Sequence, residues 1–366
     1  MSHHNFMRMA INLAKKNIGN TGVNPSVACL IEKDNCVLTI GTTGNSGRPH
    51  AEYNAIKNTK KNLKGSTAYV TLEPCSHEEE TPSCARILAE AGVAKVVSPL
   101  ADPNPIVNGK GFEMLKNYGV TVQIDDYYKR EAYKIIEGFA KRITTGKPYV
   151  TLKLAMSLDG KIALSSGESK WISGVASRKH THLLRYRSDA IMVGSNTVLQ
   201  DNPSLNIREK FFFQKQPIRI LLDSSSGLDA EGNIFQTMKT QKTIIFSQYE
   251  RSAKLVSWEK AGAKVIKVNK GANGLDLKSI LKKIGSLGIS NLLVEGGSAL
   301  SGSLIEGNFV DRIITFYCGK VFGHSGISAI SKLDSNRTSI NDFPNFFIEE
   351  TTKYDNDLMI SWVKRP

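Results

Sequence analysis

The pattern His50-Ala51-Glu52, followed by Pro74-Cys75 and then by Cys84, constrains this chain more than any other feature, because it asks three distant segments to bring one imidazole and two thiols to a common point. His and Cys are zinc ligands, and a site with three protein ligands keeps its fourth position for water. The metal lowers the pKa of that water from about 15.7 to roughly 7, which makes a nucleophile available at neutral pH. Glu52 is not needed as a ligand and is left to move protons. Eight residues separate Cys75 from Cys84. Cys75 follows the apolar run Thr67 to Leu72, which predicts a strand, and Cys84 opens the helical stretch Cys84 to Ala91. A strand end and a helix start can converge on one ion. His50 and Glu52 enter at another helix start, where unpaired amides and the helix dipole favour a bound anion.

This set meets the needs of hydrolytic deamination of an amino-heterocycle, and His-x-Glu with Pro-Cys is a known signature of zinc deaminases. Two blander readings stand beside it. His77 closes the fourth position and the zinc is structural, or the cysteines are ordinary buried thiols.

At 366 residues the chain exceeds what one hydrophobic core normally serves, so two domains are expected. Hydrophobic residues at 40% and charged residues at 22% are globular values. The five cysteines, Cys29, Cys36, Cys75, Cys84 and Cys318, are odd in number with two assigned to metal, which argues against a secreted disulfide framework. Met1 to Arg8 has no apolar signal core and no run approaches the length of a membrane span, so a cytoplasmic protein is expected. The formal net charge of +14 admits nucleic acid, a membrane surface or small anions as partners. The lysines are dispersed, and the clusters Lys57-Lys60-Lys61-Lys64 and Lys239-Lys242 lack the interleaved aromatics of a single-strand platform. Most of them read as solvated faces with some long-range attraction for phosphates, and no motif supports nucleic-acid binding.

Phe6, Met9, Ala10, Leu13 and Ala14 recur at helical spacing, and the runs Val27 to Ile31 and Cys36 to Ile40 flank the turn Lys33-Asp34-Asn35 as a hairpin. Helices over Ala51 to Asn58, Ala85 to Ala91 and Phe112 to Tyr118 alternate with strands over Ala68 to Leu72, Val93 to Ser98 and Val120 to Ile124, which predicts a mixed sheet covered on both faces. Asp102-Pro103-Asn104-Pro105 reads as a rigid turn rich in acceptors. A helix over Tyr128 to Arg142 ends the first domain, and Thr144-Thr145-Gly146-Lys147-Pro148 reads as the linker. Beyond it, strands are expected at Tyr149 to Met156, Ala190 to Gly194, Ile218 to Leu222, Thr243 to Phe246, Lys264 to Val268, Leu292 to Val294 and Arg312 to Tyr317, with a helix over Ala176 to Arg187. In Leu292 to Leu300 an apolar strand runs through Glu295 into Gly296-Gly297 and then a helix, which is a phosphate cradle. Without Gly-x-Gly-x-x-Gly in this context, an ordinary Rossmann domain is disfavoured.

Two motif sets in this order resemble the bifunctional deaminase/reductase family of riboflavin biosynthesis, over nearly the whole chain. The first set is Asn24-Pro25, Pro49 to Glu52, Thr71-Leu72-Glu73-Pro74-Cys75-Ser76-His77, Thr81-Pro82, Cys84 and Asp102 to Pro105. The second includes Leu152-Lys153-Leu154-Ala155, Ser157-Leu158-Asp159-Gly160, Gly167-Glu168-Ser169, Trp171-Ile172, Arg185, Thr197-Val198, Asp201-Asn202-Pro203, Leu205 and Glu295-Gly296-Gly297. The resemblance implies an α/β protein with a cytidine-deaminase-like three-layer α/β/α domain at 1–145, followed by a dihydrofolate-reductase-like α/β domain at 146–366. It implies one Zn2+ per chain on His50, Cys75 and Cys84, with Glu52 catalytic. It also implies NADPH held by Ala155, Trp171, Thr197, Asp201, Gly297, Ser298, Ala299, Leu300, Ser301, Gly302 and Ser303. Substrate contacts carry over to Ser169, Arg185, Leu205, Arg208 and Glu295, with the two arginines as phosphate clamps. Asn24, His77, Asp102, Asn104, Lys153 and Ser224 complete the expected sites, Lys153 or Asp201 as an aid to proton delivery. The implied substrate is a phosphorylated aminopyrimidine that loses its ring 2-amino group and whose ribosyl group is then reduced to ribitol. Dimers or tetramers are implied, and neither nucleic acid nor membrane is an expected partner. The chain departs from the family pattern at Glu79-Glu80, where a Gly followed by Lys or Arg is usual, and at Thr42-Thr43-Gly44, Ala28 and Gly227.

Overall fold

The computed structural model describes residues 3–77, 82–209, 215–224, 228, 231–249, 253–271, 274–331, 333 and 337–364. The chain divides into two compact units, Met1–Gly146 and Lys147–Pro366.

The first unit runs α1 (His3–Asn17), β1 (Ala28–Lys33), β2 (Cys36–Thr42), α2 (Ala51–Lys57), β3 (Thr67–Val70), α3 (Cys84–Glu90), β4 (Lys95–Ser98), α4 (Lys110–Asn117), β5 (Thr121–Ile124) and α5 (Lys129–Thr145). Its sheet has the order β2-β1-β3-β4-β5. β1 is antiparallel to both neighbours, and β3, β4 and β5 are parallel. Asp34 and Asn35 take positive φ in the β1–β2 turn, as a tight hairpin requires. α1 packs with α5, whereas α2, α3 and α4 pack in succession, so the sheet lies between two helical layers. The buried face of α1 is Phe6, Met7, Ala10, Ile11 and Ala14, with Leu13 only partly buried. Met9, expected on that face, is exposed. The helix is rotated relative to the simplest reading because Met7 and Ile11 extend the same stripe by one position. Thr144 and Thr145, expected in the linker, finish α5. Gly146 ends it, taking φ 70° and donating its N–H to the Arg142 carbonyl.

The second unit contains β6 (Tyr149–Ser157), β7 (Lys161–Ala163), α6 (Val175–Arg187), β8 (Ala190–Gly194), α7 (Ser195–Asp201), β9 (Ile218–Asp223), α8 (Gly232–Gln236), β10 (Thr243–Ser247), α9 (Ala253–Ala261) and β11 (Lys264–Lys267). It continues with β12 (Lys270–Gly271), β13 (Gly274–Leu275), α10 (Leu277–Ser286), β14 (Asn291–Val294), α11 (Ser298–Glu306), β15 (Arg312–Cys318), β16 (Ile327–Ser328), β17 (Phe347–Tyr354) and β18 (Asp357–Val363). Nine strands form one sheet in the order β11-β10-β9-β8-β14-β6-β15-β18-β17. The first seven in that order are parallel, and the β17–β18 hairpin is added antiparallel to β15. Ala190 and Met192 enter one core cluster while Ile191 and Val193 enter another, so the sheet is buried on both faces. In such sheets ligands bind beyond the carboxyl ends of the strands. Ala155, Thr197, Ser224 and Glu295 lie at or just past those ends, on β6, α7, β9 and β14.

Candidate active sites

In the first unit, His50 is the N-cap residue of α2, in extended backbone, and follows the cis Arg48–Pro49 peptide. Its Nδ1 lies 3.3 Å from Cys84 Sγ and 3.6 Å from Cys75 Sγ. Cys84 is the first residue of α3, and its backbone N–H donates to Cys75 Sγ at 3.4 Å. All three ligand atoms lie within 4.8 Å of one another. A tetrahedral ion with bonds of about 2.0–2.3 Å separates its ligand atoms by roughly 3.5 Å, so the residues present fit zinc. The hydrogen bond with Cys84, together with one to His50, holds the Cys75 thiol down to about 4, which favours the thiolate a metal needs. Among the described residues this is the one such group, and the exposed His77 stands outside it. The reading in which His77 closes the coordination shell gains no support: His77 is outside the clustered ligand atoms, although it lines the same cavity as His50 and Cys75.

Glu52 sits in the first turn of α2 and is 3% exposed. Burial first, and then the charge of Cys75, push its carboxyl up to about 7. A cavity of about 260 Å³ opens onto Glu52, His50 and Cys75, and Asn24, His77, Asp102 and Asn104 all line it with Arg48, Phe139 and Arg142. Asn24 Nδ2 donates to the Gly47 carbonyl at 3.0 Å. Asp102 Oδ1 accepts from the Asn104 N–H at 2.8 Å, and Asn104 Oδ1 from the Ile106 N–H at 3.1 Å. The 102–106 turn is thus held by its own side chains while it forms one wall of the cavity. Glu79, Glu80, Thr81 and Gly227 lie outside the described residues.

Glu73, within the Thr71–His77 motif, is buried and has a structural role of its own. Glu73 accepts from the N–H groups of Asp102 (2.8 Å) and Gly109 (3.0 Å) at Oε2, and of Gly111 (2.8 Å) and Phe112 (3.3 Å) at Oε1. One carboxylate therefore ties the segment that delivers Cys75 to the cavity wall and to the start of α4. A Cβ at Gly111 would stand 1.8 Å from the Pro74 carbonyl oxygen, so no side chain fits there. Gly111→Ala is expected to lower the first unit's stability by about 1–3 kcal/mol through overpacking, despite the better helix propensity of Ala. Thermal unfolding checks this, and an unchanged or raised midpoint would refute the contact.

In the second unit Arg185, on α6, meets Glu295, just past β14. Nε donates to Oε1 at 2.6 Å and Nη2 to Oε2 at 3.0 Å, while Nη1 donates to the Asn206 carbonyl at 2.8 Å. Two residues given separate substrate contacts by the resemblance are thus paired with each other, and the guanidinium fork expected to clamp phosphate is engaged by Glu295. Arg208 is exposed, and Leu205 is buried with φ 48°. Lys153, on β6, lies near Glu295 and 6.0 Å from the Phe316 ring centroid, and burial lowers its pKa. Ser169 donates to Asp201 Oδ1 at 3.0 Å. Trp171 is exposed, with the Arg178 guanidinium 4.5 Å from its ring centroid and Lys320 Nζ donating to its carbonyl. Ser224, at the end of β9, is exposed, and its carbonyl accepts from Gln248 Nε2.

The glycine pair forms the expected cradle. Gly297 is the N-cap residue of α11, supplies no capping side chain, and donates its own N–H to Thr197 Oγ1 at 3.2 Å. The starts of α7 and α11 are thereby joined, and the first amides of α11, from Ser298 on, are left without partners inside the helix. Ser301 Oγ donates back to the Gly297 carbonyl at 3.1 Å. Two polar atoms around Arg185, His182 Nδ1 and Asn206 Oδ1, are buried without a partner. Nothing in the sequence singled out these residues, or Arg48 and Arg142. Their significance comes from neighbours distant in the chain.

Comparison with known proteins gives a match for each unit. Residues 1–99 match the cytidine and deoxycytidylate deaminase zinc-binding region, and residues 148–360 match the RibD C-terminal domain. The chain is 40% identical over 323 residues to the riboflavin biosynthesis protein RibD of Actinobacillus pleuropneumoniae, covering 88% of this chain and 85% of that one. It is 36% identical to the RibD of Escherichia coli, over 99% of this chain and 100% of that one. Among solved structures, RibD of Acinetobacter baumannii superposes with a TM-score of 0.87 at 32% identity, covering 99% of this chain and 98% of that chain. A Thermotoga maritima diaminohydroxyphosphoribosylaminopyrimidine deaminase/5-amino-6-(5-phosphoribosylamino)uracil reductase gives the same TM-score, identity and coverage. With these matches over nearly its whole length and a clustered zinc-ligand set in its first unit, the chain belongs to the RibD family, whose members unite a deaminase and a reductase of riboflavin biosynthesis.

Proposed function

We propose that residues 1–145 deaminate 2,5-diamino-6-(5-phosphoribosylamino)pyrimidin-4(3H)-one at its ring 2-amino group. Residues 146–366 then reduce the ribosyl group with NADPH, giving 5-amino-6-(5-phosphoribitylamino)uracil. The observation that carries this reading is Glu52, buried beside His50, Cys75 and Cys84 and lining a cavity large enough for a pyrimidine ring.

His50, Cys75 and Cys84 hold the zinc, which when bound activates a water in its open position. Glu52 accepts that water's proton at its carboxylate and passes it to the departing nitrogen, and a carboxyl near 7 can do both at neutral pH. Asn24, His77, Asp102 and Asn104 orient the ring from the cavity wall. In the second unit, Ala155, Trp171, Thr197, Asp201 and Gly297 to Ser303 hold NADPH, the hydride source. Ser169, Arg185, Leu205, Arg208 and Glu295 position the phosphoribosyl chain, with Arg208 free of the Glu295 pair and so the better phosphate contact. Lys153 and Asp201 aid proton delivery, and Ser224 borders the site. None of the described helices is long and apolar enough to cross a membrane. Cytoplasmic location and assembly into dimers or tetramers complete the proposal, supported by the family alone.

The test is to supply the diaminopyrimidinone phosphate with and without NADPH and to identify products by mass. Loss of the amino group without NADPH and gain of two hydrogens only with it are expected. Hydrogen uptake with the amino group retained would show that the first unit is not the deaminase.

A further inference from the structure

We propose that Arg48 and Arg142 bind the substrate's phosphate at the deaminase site and make that site selective for the phosphorylated pyrimidine; the inference rests on the deaminase reading above. Both side chains line the cavity that holds Glu52 and Cys75. They approach it from different directions. Arg48 lies two residues before the zinc ligand His50 and close enough for its charge to bear on the imidazole. Arg142 lies in the last turn of α5, where Nη2 donates to the Val23 carbonyl at 2.7 Å and the guanidinium carbon stands 5.8 Å from the Phe139 ring centroid. Val23 precedes Asn24-Pro25, which line the cavity, as does Phe139, so Arg142 is anchored to two pieces of the wall.

The charge balance of the cavity calls for such groups. A phosphate monoester enters carrying about two negative charges near neutral pH. Glu52, Glu73 and Asp102 also line the cavity. Glu73 is occupied by four backbone amides and Asp102 by the amide of Asn104, but neither supplies a positive charge. The guanidinium groups do, and their forked donors match phosphate oxygens. With the ring amine directed at His50, Cys75 and Cys84, the ribosyl phosphate extends toward the rim. Arg48, from the segment before α2, and Arg142, from the end of α5, both line the cavity and are the groups there that can meet it.

The experiment compares ammonia release from the phosphorylated substrate and from its dephosphorylated nucleoside, using the full chain and its Arg48→Ala, Arg142→Ala and Arg142→Lys forms, each checked for zinc content. The unaltered protein is expected to prefer the phosphorylated substrate. Each alanine form should raise KM for it by about 10- to 100-fold, the range of a charge-assisted hydrogen bond, with a far smaller change in kcat. The preference ratio should collapse toward one, and Arg142→Lys should recover part of it. Inorganic phosphate should inhibit the unaltered protein competitively and Arg48→Ala much less. Equal kcat/KM of the unaltered protein for both substrates would overturn the inference and leave the deaminase reading intact. An equal KM rise for both substrates in the alanine forms would likewise overturn it, by showing a structural role. No ammonia from either substrate would overturn both readings.

Discussion

Replacing Glu52 by Gln is expected to lower ammonia release by about 10²–10⁴-fold, the usual contribution of a general acid/base. The amide keeps the size of the carboxyl, and Glu52 is not one of the three clustered ligand atoms, so zinc content should stay at one per chain. The carboxyl is buried in the first turn of α2, with its pKa raised chiefly by that burial. A neutral amide removes the cost of burying charge, so the variant should be as stable as the parent, or more so. NADPH oxidation with 5-amino-6-(5-phosphoribosylamino)uracil supplied directly should continue at the parent rate, because Glu52 lies in the other unit. Unchanged deamination would remove Glu52 from the chemistry.

The second large effect is expected at Arg185. Its pair with Glu295 is bidentate, and the two side chains are only 12% and 11% exposed. Arg185→Ala leaves a buried carboxylate uncompensated, which costs about 3–5 kcal/mol. It also releases the Asn206 carbonyl and, with it, the loop that carries Leu205 and Arg208. The second unit's unfolding midpoint and NADPH oxidation should therefore fall together while ammonia release persists. Arg185→Lys should recover little, since an ammonium cannot reproduce the fork. Arg185→Ala with Glu295→Ala should cost less than the sum of the single changes. Additive losses would show that the pair does not couple the helix to the strand end.

Much of the first unit was readable because its signals are local. The β1–β2 hairpin, the alternation from α2 to β5 and the placing of His50 and Cys84 at helix starts all rest on neighbours in sequence. The division between the units falls inside the 144–148 segment, but α5 runs on through Thr144 and Thr145, because Thr at the end of a helix resembles linker and the actual stop is the positive φ of Gly146. α10 passed unnoticed although Leu277, Ile280, Leu281 and Ile284 form a helical stripe behind an Asp276 N-cap. The β17–β18 hairpin was missed because β17 is a largely exposed edge strand, Phe347 to Tyr354, with little apolar alternation. Its turn was visible in Asp355, which takes φ 53°. Roles that depend on distant partners left no such trace. Glu73 finds its four amides between residues 102 and 112, and Arg185 finds Glu295 110 positions later.

The strand order of the second unit also bears on how a ribosome releases it. β6 comes first in that unit, yet it lies between β14 and β15, and the Val150 N–H is paired with Asp311 Oδ2 across 161 positions. During synthesis β6 must wait, without sheet partners, until nearly the whole unit has emerged, whereas β1 meets β2 almost at once. The earlier half is therefore expected to mature quickly and the later half slowly, with its first apolar strand the segment most in need of a chaperone.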